Sequence, residues 1–564
     1  MNKCQVLLIA AVQSLAVSAA YTQPKGSIAN ELSGYVSGAV AKGYKASVLM
    51  WEIDAISHTR QGAQFSGVVV SKNGDILSAA HVVTPGKSYR VMFPDGQECV
   101  AKGQGRISIP PAFMLPDAAM LKIVDEGSWP FAEMGWVSSL TAGAPCISIA
   151  YPETLEQRKP SVRFGHISIL QNKYGFLQST CVMEPGDSGG PLFDLLGRVI
   201  GIHSGIEVAE NVNYEVPIDT YRKYYSALKS GGNFTLLPAD TDVLGSDSLF
   251  SAIRKIPLEY QLDLQVRSDK KLKQSCVRIS SLINGTRRYI LGAVLSLDIS
   301  HANNAVAKSF IVSKSSMVGE TPMIALENGN IVKGIVLKRD RANDLVLIGS
   351  SVMVNQGIKF GSDDTGNTAF QHLGRQLRSP RPDSIALRGV LSTMQINLPP
   401  KTSHGYIGAS TGFKRDKLVF TFIQPGSAAE ISGFTIEDIV ESVDGLPVAD
   451  ELDFVKAFGK YQAGDTATVA ITRAGQKITR LVVLKYPPQK VGNHPAENFV
   501  GGKSIRRDGF HAVFVQDASV QPSSCGGPVF DIDGVFIGIN IARLSRTSTV
   551  IIPALIIKKF LDVN

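Results

Sequence analysis

The chain has 564 residues, of which 44% are apolar and 19% charged, and its formal net charge is +8. At about 150 residues per domain this length predicts three or four domains, each with enough apolar residues for a packed core. The sequence contains no run of five or more basic residues, which excludes the clustered charge of a nucleic-acid-binding surface. The 53 glycines, with short Val- and Ile-rich runs between them, predict an all-β chain with many turns.

The first 20 residues are interpreted as a signal peptide. Lys3 precedes an apolar stretch over residues 6–20, and Ser18 and Ala20 provide the small residues expected before a cut after Ala20. The alternative is an ordinary apolar N-terminal segment. No later stretch is long enough for a membrane span. We therefore expect a periplasmic or secreted protein without a stable membrane span.

Five cysteines follow the signal segment, an odd number, and they are widely spaced. A disulfide framework is therefore not implied, and no pair has the CxxC spacing of a metal site. The sequence also lacks a phosphate-binding glycine loop, so no metal or other cofactor is expected. These cysteines are Cys99, Cys146, Cys181, Cys276 and Cys525.

Three candidate catalytic residues follow in order, each at the end of a predicted strand. A strand–turn–strand pattern with Asn73 and Gly74 at the turn comes first. His81 stands just past its second, buried strand, and Asp117 leads into an apolar strand. Ser188 stands within the motif Gly-Asp-Ser-Gly-Gly-Pro, which is far rarer by chance than a lone histidine or aspartate.

These residue types suit nucleophilic catalysis on a carbonyl group. A serine hydroxyl becomes nucleophilic when a base takes its proton, and an imidazole, which titrates near neutral pH, is a suitable base. An ionised aspartate fixes the tautomer of that imidazole. The sequence therefore predicts Ser188 as nucleophile, His81 as base and Asp117 as the orienting acid. The N–H groups of Gly186 and Ser188 are the expected donors to the oxyanion.

These segments resemble the chymotrypsin-fold proteases, and in particular the exported HtrA/Deg family. The resemblance implies a double β-barrel over residues 30–229, here called the first unit. It also implies a serine endopeptidase that cleaves unfolded or damaged proteins. Asp187 departs from the Asn usual in that family. Val182 stands where such proteases place the base of the primary substrate pocket, which implies a preference for small or medium apolar side chains. His203 lies in the strand that lines this pocket, where it could bias specificity; a filled structural role is the alternative.

A second, altered copy of the same pattern follows, predicted over residues 265–395 and 495–564 and here called the second unit. Ser316 stands at the position of the histidine, Asp344 at that of the aspartate and Cys525 at that of the serine. Without a base, a non-catalytic scaffold is favoured, and a cysteine-type active site is the alternative. The matching segments are 67–71 with 292–296, 93–98 with 326–331, 117–122 with 344–349, the nucleophile motif with 523–530, and 199–203 with 535–540. An arginine- and proline-containing stretch, 374–382, is predicted as an exposed loop of this unit.

A segment over residues 400–486, here called the insert, interrupts the second unit. Its Pro-Gly-Ser-Ala-Ala and Val-Asp-Gly motifs resemble the PDZ domains of HtrA proteins. The loop of Tyr406, Ile407, Gly408 and Ala409 is expected to offer backbone N–H groups to a peptide C-terminal carboxylate, with the peptide added as an edge strand. The alternative is a β-rich extension of the second unit with no ligand.

The fold class expected is all-β, with a chymotrypsin-like double β-barrel and a second, degenerate unit carrying an inserted PDZ domain. The function expected is an exported serine endopeptidase with PDZ-assisted peptide capture. Its partners would be unfolded polypeptides and peptide C-termini, with homo-oligomers possible and nucleic acid excluded. The alternative is a non-proteolytic chaperone or peptide-binding scaffold.

Overall fold

The computed structural model describes residues 25–109, 116–155, 157–252, 255–258, 272–283, 285–297, 307–355, 357–360, 370–488 and 492–562. The signal peptide predicted over residues 1–20 lies outside them. Within these ranges, no helix combines the length and the apolar character that a membrane crossing requires.

Helix α1 (Lys25–Ala46) precedes the strands and was not anticipated from the sequence. Leu32, Val36 and Val40 recur every four residues and form a buried stripe on one of its faces. They join the main apolar core of the first unit. This helix therefore contributes to the core of the first unit. It begins five residues after the predicted signal peptide ends.

Two closed barrels make up the first unit. Strands β1 to β6 close in the order β4-β1-β2-β3-β6-β5, with β13 added parallel to β5, and β7 to β12 close in the order β10-β11-β12-β9-β8-β7. Helices α2 (Ile218–Lys223) and α3 (Tyr225–Lys229) follow the second barrel. The strands are β1 (Ser47–Ile53), β2 (Arg60–Val69), β3 (Asp75–Ser78), β4 (Ser88–Met92), β5 (Glu98–Ser108), β6 (Asp117–Ile123), β7 (Pro145–Ala150), β8 (Ser161–Ile169), β9 (Leu177–Ser179), β10 (Pro191–Phe193), β11 (Val199–Ile206), β12 (Asn213–Pro217) and β13 (Asn233–Phe234).

The predicted hairpin is confirmed, because β2 and β3 pair antiparallel and Gly74 has the positive φ, 86°, of a tight turn. The two barrels are in contact where the end of β3 and the start of β6 in the first barrel meet the loop before β10 in the second. Catalytic candidates from both barrels therefore meet at one place.

The second unit starts with another closed barrel, in the order β14-β15-β16-β19-β18-β17. Its first strands are β14 (Cys276–Ile283), β15 (Thr286–Leu295), β16 (Ser309–Lys314), β17 (Met323–Ala325), β18 (Ile331–Asp340), β19 (Leu345–Ser350), β20 (Gln376–Arg381), β21 (Ser384–Val390) and β22 (Ile396–Leu398). The exposed loop predicted over 374–382 is wrong. Residues 376–381 of this stretch form β20, which pairs with β21 and β30 and buries Leu377 and Ser379.

The insert has its own sheet, in the order β23-β24-β25-β27-β28 with β26 beside β25. Its elements are β23 (Ala409–Lys414), β24 (Lys417–Ile423), α4 (Ala428–Ile431), β25 (Ile439–Val443), β26 (Leu446–Pro447), α5 (Glu451–Phe458), β27 (Thr466–Arg473) and β28 (Gln476–Val483). An apolar core that includes Phe420, Phe434 and Phe454 holds these elements together.

The chain then returns to the second unit through β29 (Phe510–Gln516), β30 (Pro528–Asp531), β31 (Phe536–Arg543), β32 (Thr549–Pro553) and α6 (Ala554–Leu561). These strands join the earlier ones in one sheet, in the order β21-β20-β30-β31-β32-β29-β22. Since β22 and β29 are neighbours, the insert leaves and re-enters at one point of this sheet. Asp508 ties the two connections together by accepting hydrogen bonds from the N–H groups of Thr402 (2.9 Å) and Ser403 (3.0 Å).

Candidate active site

His81, Asp117 and Ser188 come together between the two barrels of the first unit. His81 follows β3, Asp117 is the first residue of β6, and these strands are neighbours in the first barrel. Ser188 lies in the loop between β9 and β10 of the second barrel. The N–H of Ser66 donates to the Ser188 carbonyl at 2.9 Å, which fixes the serine against the first barrel.

The three side chains form a continuous hydrogen-bonded chain. His81 Nε2 lies 3.0 Å from Ser188 Oγ, and His81 Nδ1 lies 2.7 Å from Asp117 Oδ2. The backbone N–H of His81 donates to the other carboxylate oxygen of Asp117 at 2.9 Å. Because a carboxylate only accepts, Nδ1 carries the proton and Nε2 is left to receive the hydroxyl proton of Ser188.

Ser204, in β11, is a fourth member of this group that the sequence reasoning missed. Its hydroxyl donates to Asp117 Oδ2 at 2.6 Å. Asp117 therefore accepts three hydrogen bonds, two from His81 and one from Ser204. Such charge-assisted bonds hold the carboxylate in one orientation and favour its ionised form.

The pKa shifts of the pair agree with this arrangement. Burial alone would raise the pKa of Asp117, but the hydrogen bonds from His81 and Ser204 outweigh it and leave the pKa below its usual value. Burial alone would lower the pKa of His81, but the hydrogen bond and the charge of Asp117 outweigh it and leave the pKa raised. The imidazole is therefore a stronger base than a free histidine.

The backbone around Gly186 leaves two N–H groups available beside Ser188. The Pro185 carbonyl accepts from the N–H of Glu153 at 2.9 Å, and the Gly186 carbonyl accepts from Ser66 Oγ at 2.8 Å. Gly186 has φ of +97°, which favours glycine. Within the described residues, the N–H groups of Gly186 and Ser188 donate no hydrogen bond, so both can serve an oxyanion.

A buried ion pair lies directly under the nucleophile loop. Arg163, in β8, donates two hydrogen bonds to Asp187, at 2.6 and 3.0 Å, and both side chains are 1% exposed. Asp187 also accepts from the N–H of Glu184 at 2.8 Å. Burial alone would lower the pKa of Arg163, but the charge of Asp187 outweighs it and leaves that pKa raised. The aspartate next to Ser188 is thus an anchor for the loop.

The two predicted pocket residues differ in placement. Val182 is partly exposed and lines a cavity of about 360 Å³, which Leu377 and Ala518 of the second unit also line. The prediction that His203 lines the pocket is wrong, because its side chain is fully buried and bonds Ser148 Oγ through Nε2 at 2.7 Å. Ser204, the next residue, lies where the pairing of β11 with β12 is irregular, and its hydroxyl faces Asp117. Burial lowers the pKa of His203 to about 3.

The second unit repeats the contacts of this site without its base. The N–H and Oγ of Ser316 donate to the two carboxylate oxygens of Asp344 at 2.6 and 2.8 Å, in the positions that His81 takes on Asp117. The N–H of Leu291 donates to the carbonyl of Cys525 at 3.0 Å, as Ser66 does to Ser188. The residue alignment made from sequence therefore matches the geometry.

Cys525 is not placed to act as a nucleophile. Its side chain is fully buried, and burial raises the pKa of its thiol. Its Sγ contacts Ser504 Oγ at 3.9 Å and the Gln521 carbonyl at 3.8 Å. Lys314, rather than an imidazole, contacts Asp344 at 2.8 Å. The arrangement favours the scaffold interpretation over a cysteine-type site. All five cysteines after the predicted signal are unpaired and buried.

The predicted carboxylate loop of the insert precedes strand β23. The N–H of Tyr406 is already used, since it donates to the Lys485 carbonyl at 2.8 Å. The N–H groups of Ile407 and Gly408 donate to nothing within the residues that the structure describes. Gly408 has φ of +76°, and Ala409 is the first residue of β23 and pairs with Ile423. The loop thus offers the N–H groups of Ile407 and Gly408 as donors, whereas that of Tyr406 is used within the insert.

The space between β23 and α5, beside this loop, is here called the groove. Strand β23 is at the edge of its sheet, so a peptide can add to it as a further strand. Helix α5 packs beside β23 and exposes the apolar side chains of Leu452 (59% exposed) and Val455 (67%). The groove therefore combines backbone donors with apolar surface.

Comparison with known proteins assigns two parts of the chain. Residues 65–202 match the family model of the trypsin-like peptidase domain, and residues 405–483 match that of the PDZ domain. The chain therefore carries a trypsin-like peptidase domain and a PDZ domain, and its fold class is the one expected from the sequence.

Curated relatives match about 30% of this chain. The serine protease HhoA of Synechocystis sp. is 31% identical over 185 residues, which are 31% of this chain and 45% of the relative. A DegP-like periplasmic serine endoprotease of Pseudomonas fluorescens is 32% identical over 177 residues, 30% of this chain and 35% of the relative. The serine protease HTRA1 of Xenopus tropicalis is 30% identical over 172 residues, 29% of this chain and 35% of the relative. Each alignment spans less than half of the relative.

A solved structure, the serine endoprotease from Yersinia pestis, aligns with 80% of this chain and 98% of its own at 15% identity. The TM-score is 0.29.

Proposed function

We propose that this chain, with its trypsin-like peptidase domain and its PDZ domain, is an exported serine endopeptidase that cleaves unfolded polypeptides. The observation that carries the proposal is the chain of hydrogen bonds from Asp117 through His81 to Ser188. The two unused N–H groups beside that serine support it. The predicted signal peptide and the names of the periplasmic relatives support export.

The proposed reaction starts when Ser188 Oγ attacks the scissile carbonyl carbon while His81 Nε2 takes the hydroxyl proton. The carbonyl oxygen becomes an oxyanion that accepts from the N–H groups of Gly186 and Ser188. His81 then gives its proton to the leaving amine, and an ester on Ser188 remains. A water molecule, activated by the same imidazole, releases the peptide acid and restores the serine.

The insert is proposed to hold a peptide C-terminus or an extended segment in the groove beside β23. The terminal carboxylate would accept from the N–H groups of Ile407 and Gly408. The peptide backbone would pair with β23, and an apolar side chain would contact α5. The second unit is proposed to be an altered, non-catalytic repeat of the first.

The non-proteolytic alternative requires a silent first unit. The position of the Pro185 carbonyl argues against it, because this carbonyl bonds Glu153 and does not occupy the oxyanion site. Labelling with a serine-directed fluorophosphonate tests the proposal directly. We expect modification at Ser188 and degradation of casein, and we expect Ser188→Ala to abolish both. Casein degradation that persists in Ser188→Ala would overturn the assignment.

A further inference from the structure

The loop between β31 and β32 of the second unit is polar but entirely buried. Its sequence over residues 543–549 is Arg-Leu-Ser-Arg-Thr-Ser-Thr, and no residue in it is more than 5% exposed. Buried polar groups need hydrogen-bond partners. The loop occupies the same place in the second unit as residues 207–212, between β11 and β12, occupy in the first. Residues 207–212 are here called the wall loop.

Two arginines of this buried run bind the wall loop. Arg546 donates to the carbonyls of Glu207 (2.6 Å) and Ala209 (2.9 Å). Arg543 donates to Glu210 Oε1 at 2.6 Å and forms an ion pair with it. Such charge-assisted bonds are about twice as strong as neutral ones. The wall loop is thus held by side chains of the other unit.

The wall loop connects to the active site at both of its ends. It begins directly after β11, the strand that carries Ser204, which bonds Asp117. At its other end Asn213 Nδ2 donates to the Glu210 carbonyl at 3.0 Å. Asn213 Oδ1 accepts from the N–H of Met183 at 3.2 Å, in the segment that leads to Ser188. Two side chains and a short piece of backbone therefore link Arg543 to the nucleophile segment.

A second contact between the units lies beside Arg163, which holds the nucleophile loop. Asp517 of the second unit accepts from the N–H of Phe164 at 2.9 Å and from that of Val390 at 2.7 Å. Phe164 follows Arg163, whose guanidinium holds Asp187 beside the nucleophile. The cavity that Val182 lines is also closed in part by the second unit.

We infer that the second unit positions the wall loop and the nucleophile loop of the first, with Arg543 and Arg546 as positioning residues. The peptidase activity of the first unit then depends on the second, which acts as an activator built into the same chain. This inference rests on the proposed peptidase function. It gives the altered repeat a role other than support of the insert.

The test uses the full chain with Arg546→Lys, which keeps the charge but cannot bind both carbonyls in the same way. The matched control is Arg339→Lys, because Arg339 binds the carbonyls of Ser315 (3.2 Å) and Gly319 (3.3 Å) within the second unit. Peptides with Val or Ala before the scissile bond report on the pocket. For Arg546→Lys we expect KM to rise about tenfold, kcat to change less, and the preference between Val and Ala to fall. We expect the control to match the unsubstituted chain.

Hydrogen exchange separates this inference from the proposed function. In Arg546→Lys we expect faster amide exchange confined to residues 205–213, whether or not the chain is an active peptidase. Glu210→Gln, a milder change that removes the ion pair with Arg543, is expected to show the same pattern. The inference would be overturned by a folded Arg546→Lys variant whose amide exchange over residues 205–213 is unchanged. Its KM and its preference between Val and Ala would also lie within twofold of those of the unsubstituted chain. If the unsubstituted chain is neither labelled at Ser188 nor active, the proposed function fails. The exchange measurement then tests by itself whether the second unit positions the wall loop.

Discussion

Removal of Arg163 is the most demanding test of the nucleophile loop. In Arg163→Met, Asp187 becomes a buried carboxylate that has lost both of its guanidinium hydrogen bonds. Two unit charges in contact interact by about 4 kcal/mol at an effective dielectric constant of about 20. Breaking a buried ion pair from one side typically costs about 3–5 kcal/mol. Since both side chains are 1% exposed, we expect a loss of stability in that range.

The second arm of the test removes the charge that is left behind. Asp187→Asn supplies the residue usual in the HtrA family, and the double variant Arg163→Met with Asp187→Asn contains no buried charge at this position. We expect the double variant to regain at least about 2 kcal/mol over Arg163→Met, because an uncharged pair of similar volume is often as stable as a buried ion pair.

Urea unfolding of the three variants measures stability, and the rate of fluorophosphonate labelling at Ser188 reports on the loop itself. Chains with several domains do not unfold in one step, so labelling is measured along the same urea series. The reasoning is refuted if Arg163→Met lies within about 1 kcal/mol of the unsubstituted chain. It is also refuted if the double variant is no more stable than Arg163→Met.

Three further predictions concern the proposed catalytic and binding groups. Because its pKa is raised, His81 should be protonated and inactive at low pH, so kcat/KM should rise with pH through a midpoint above about 6.5, the usual histidine value. Gly186→Ala should lower kcat about 10²–10³-fold, because its Cβ would lie 2.5 Å from the carbonyl oxygen of Tyr151. Gly408→Ala should abolish binding of a C-terminal peptide in fluorescence polarisation, because its Cβ would lie 2.3 Å from that of Ser427.

Each of these has an outcome that contradicts it. A kcat/KM midpoint at or below 6.5 would mean that Asp117 does not raise the pKa of His81. An undiminished kcat in Gly186→Ala would show that the N–H of Gly186 does not bind the oxyanion. For Gly408→Ala, an unchanged peptide affinity would place the peptide elsewhere, while Ser188 labelling serves as the control for an intact first unit.

The catalytic candidates could be found from sequence because each stands in a recognisable local context. A histidine after a buried strand, an aspartate before one and a serine among glycines are short-range patterns. The same patterns located Ser316, Asp344 and Cys525 in the second unit. His203 could not be placed in the same way, because the pairing of β11 is irregular between His203 and Gly205, where simple strand alternation does not predict the face of a side chain.

The contacts between distant segments could not be found in this way. Arg163 carries no local sign that it pairs with Asp187 across the barrel. The polar run at 543–549 has the composition of a solvated loop, and only the packing of two units against each other buries it. The arginines and prolines of 374–382 likewise predict an exposed loop, whereas in the fold β20 of this stretch pairs with β21 and β30.

The contact between Arg543 and Glu210 can form only late in the synthesis of the chain. Its two residues are 333 positions apart. At a synthesis rate of about 5–20 residues per second, the arginine is made roughly 15–70 s after the glutamate. A nascent first unit carries Ser188, His81 and Asp117 during that interval, but its wall loop has no partner. The wall loop would therefore be held in place only after nearly the whole chain has emerged and folded, and a chain cut short before β31 would cleave its substrates with a raised KM.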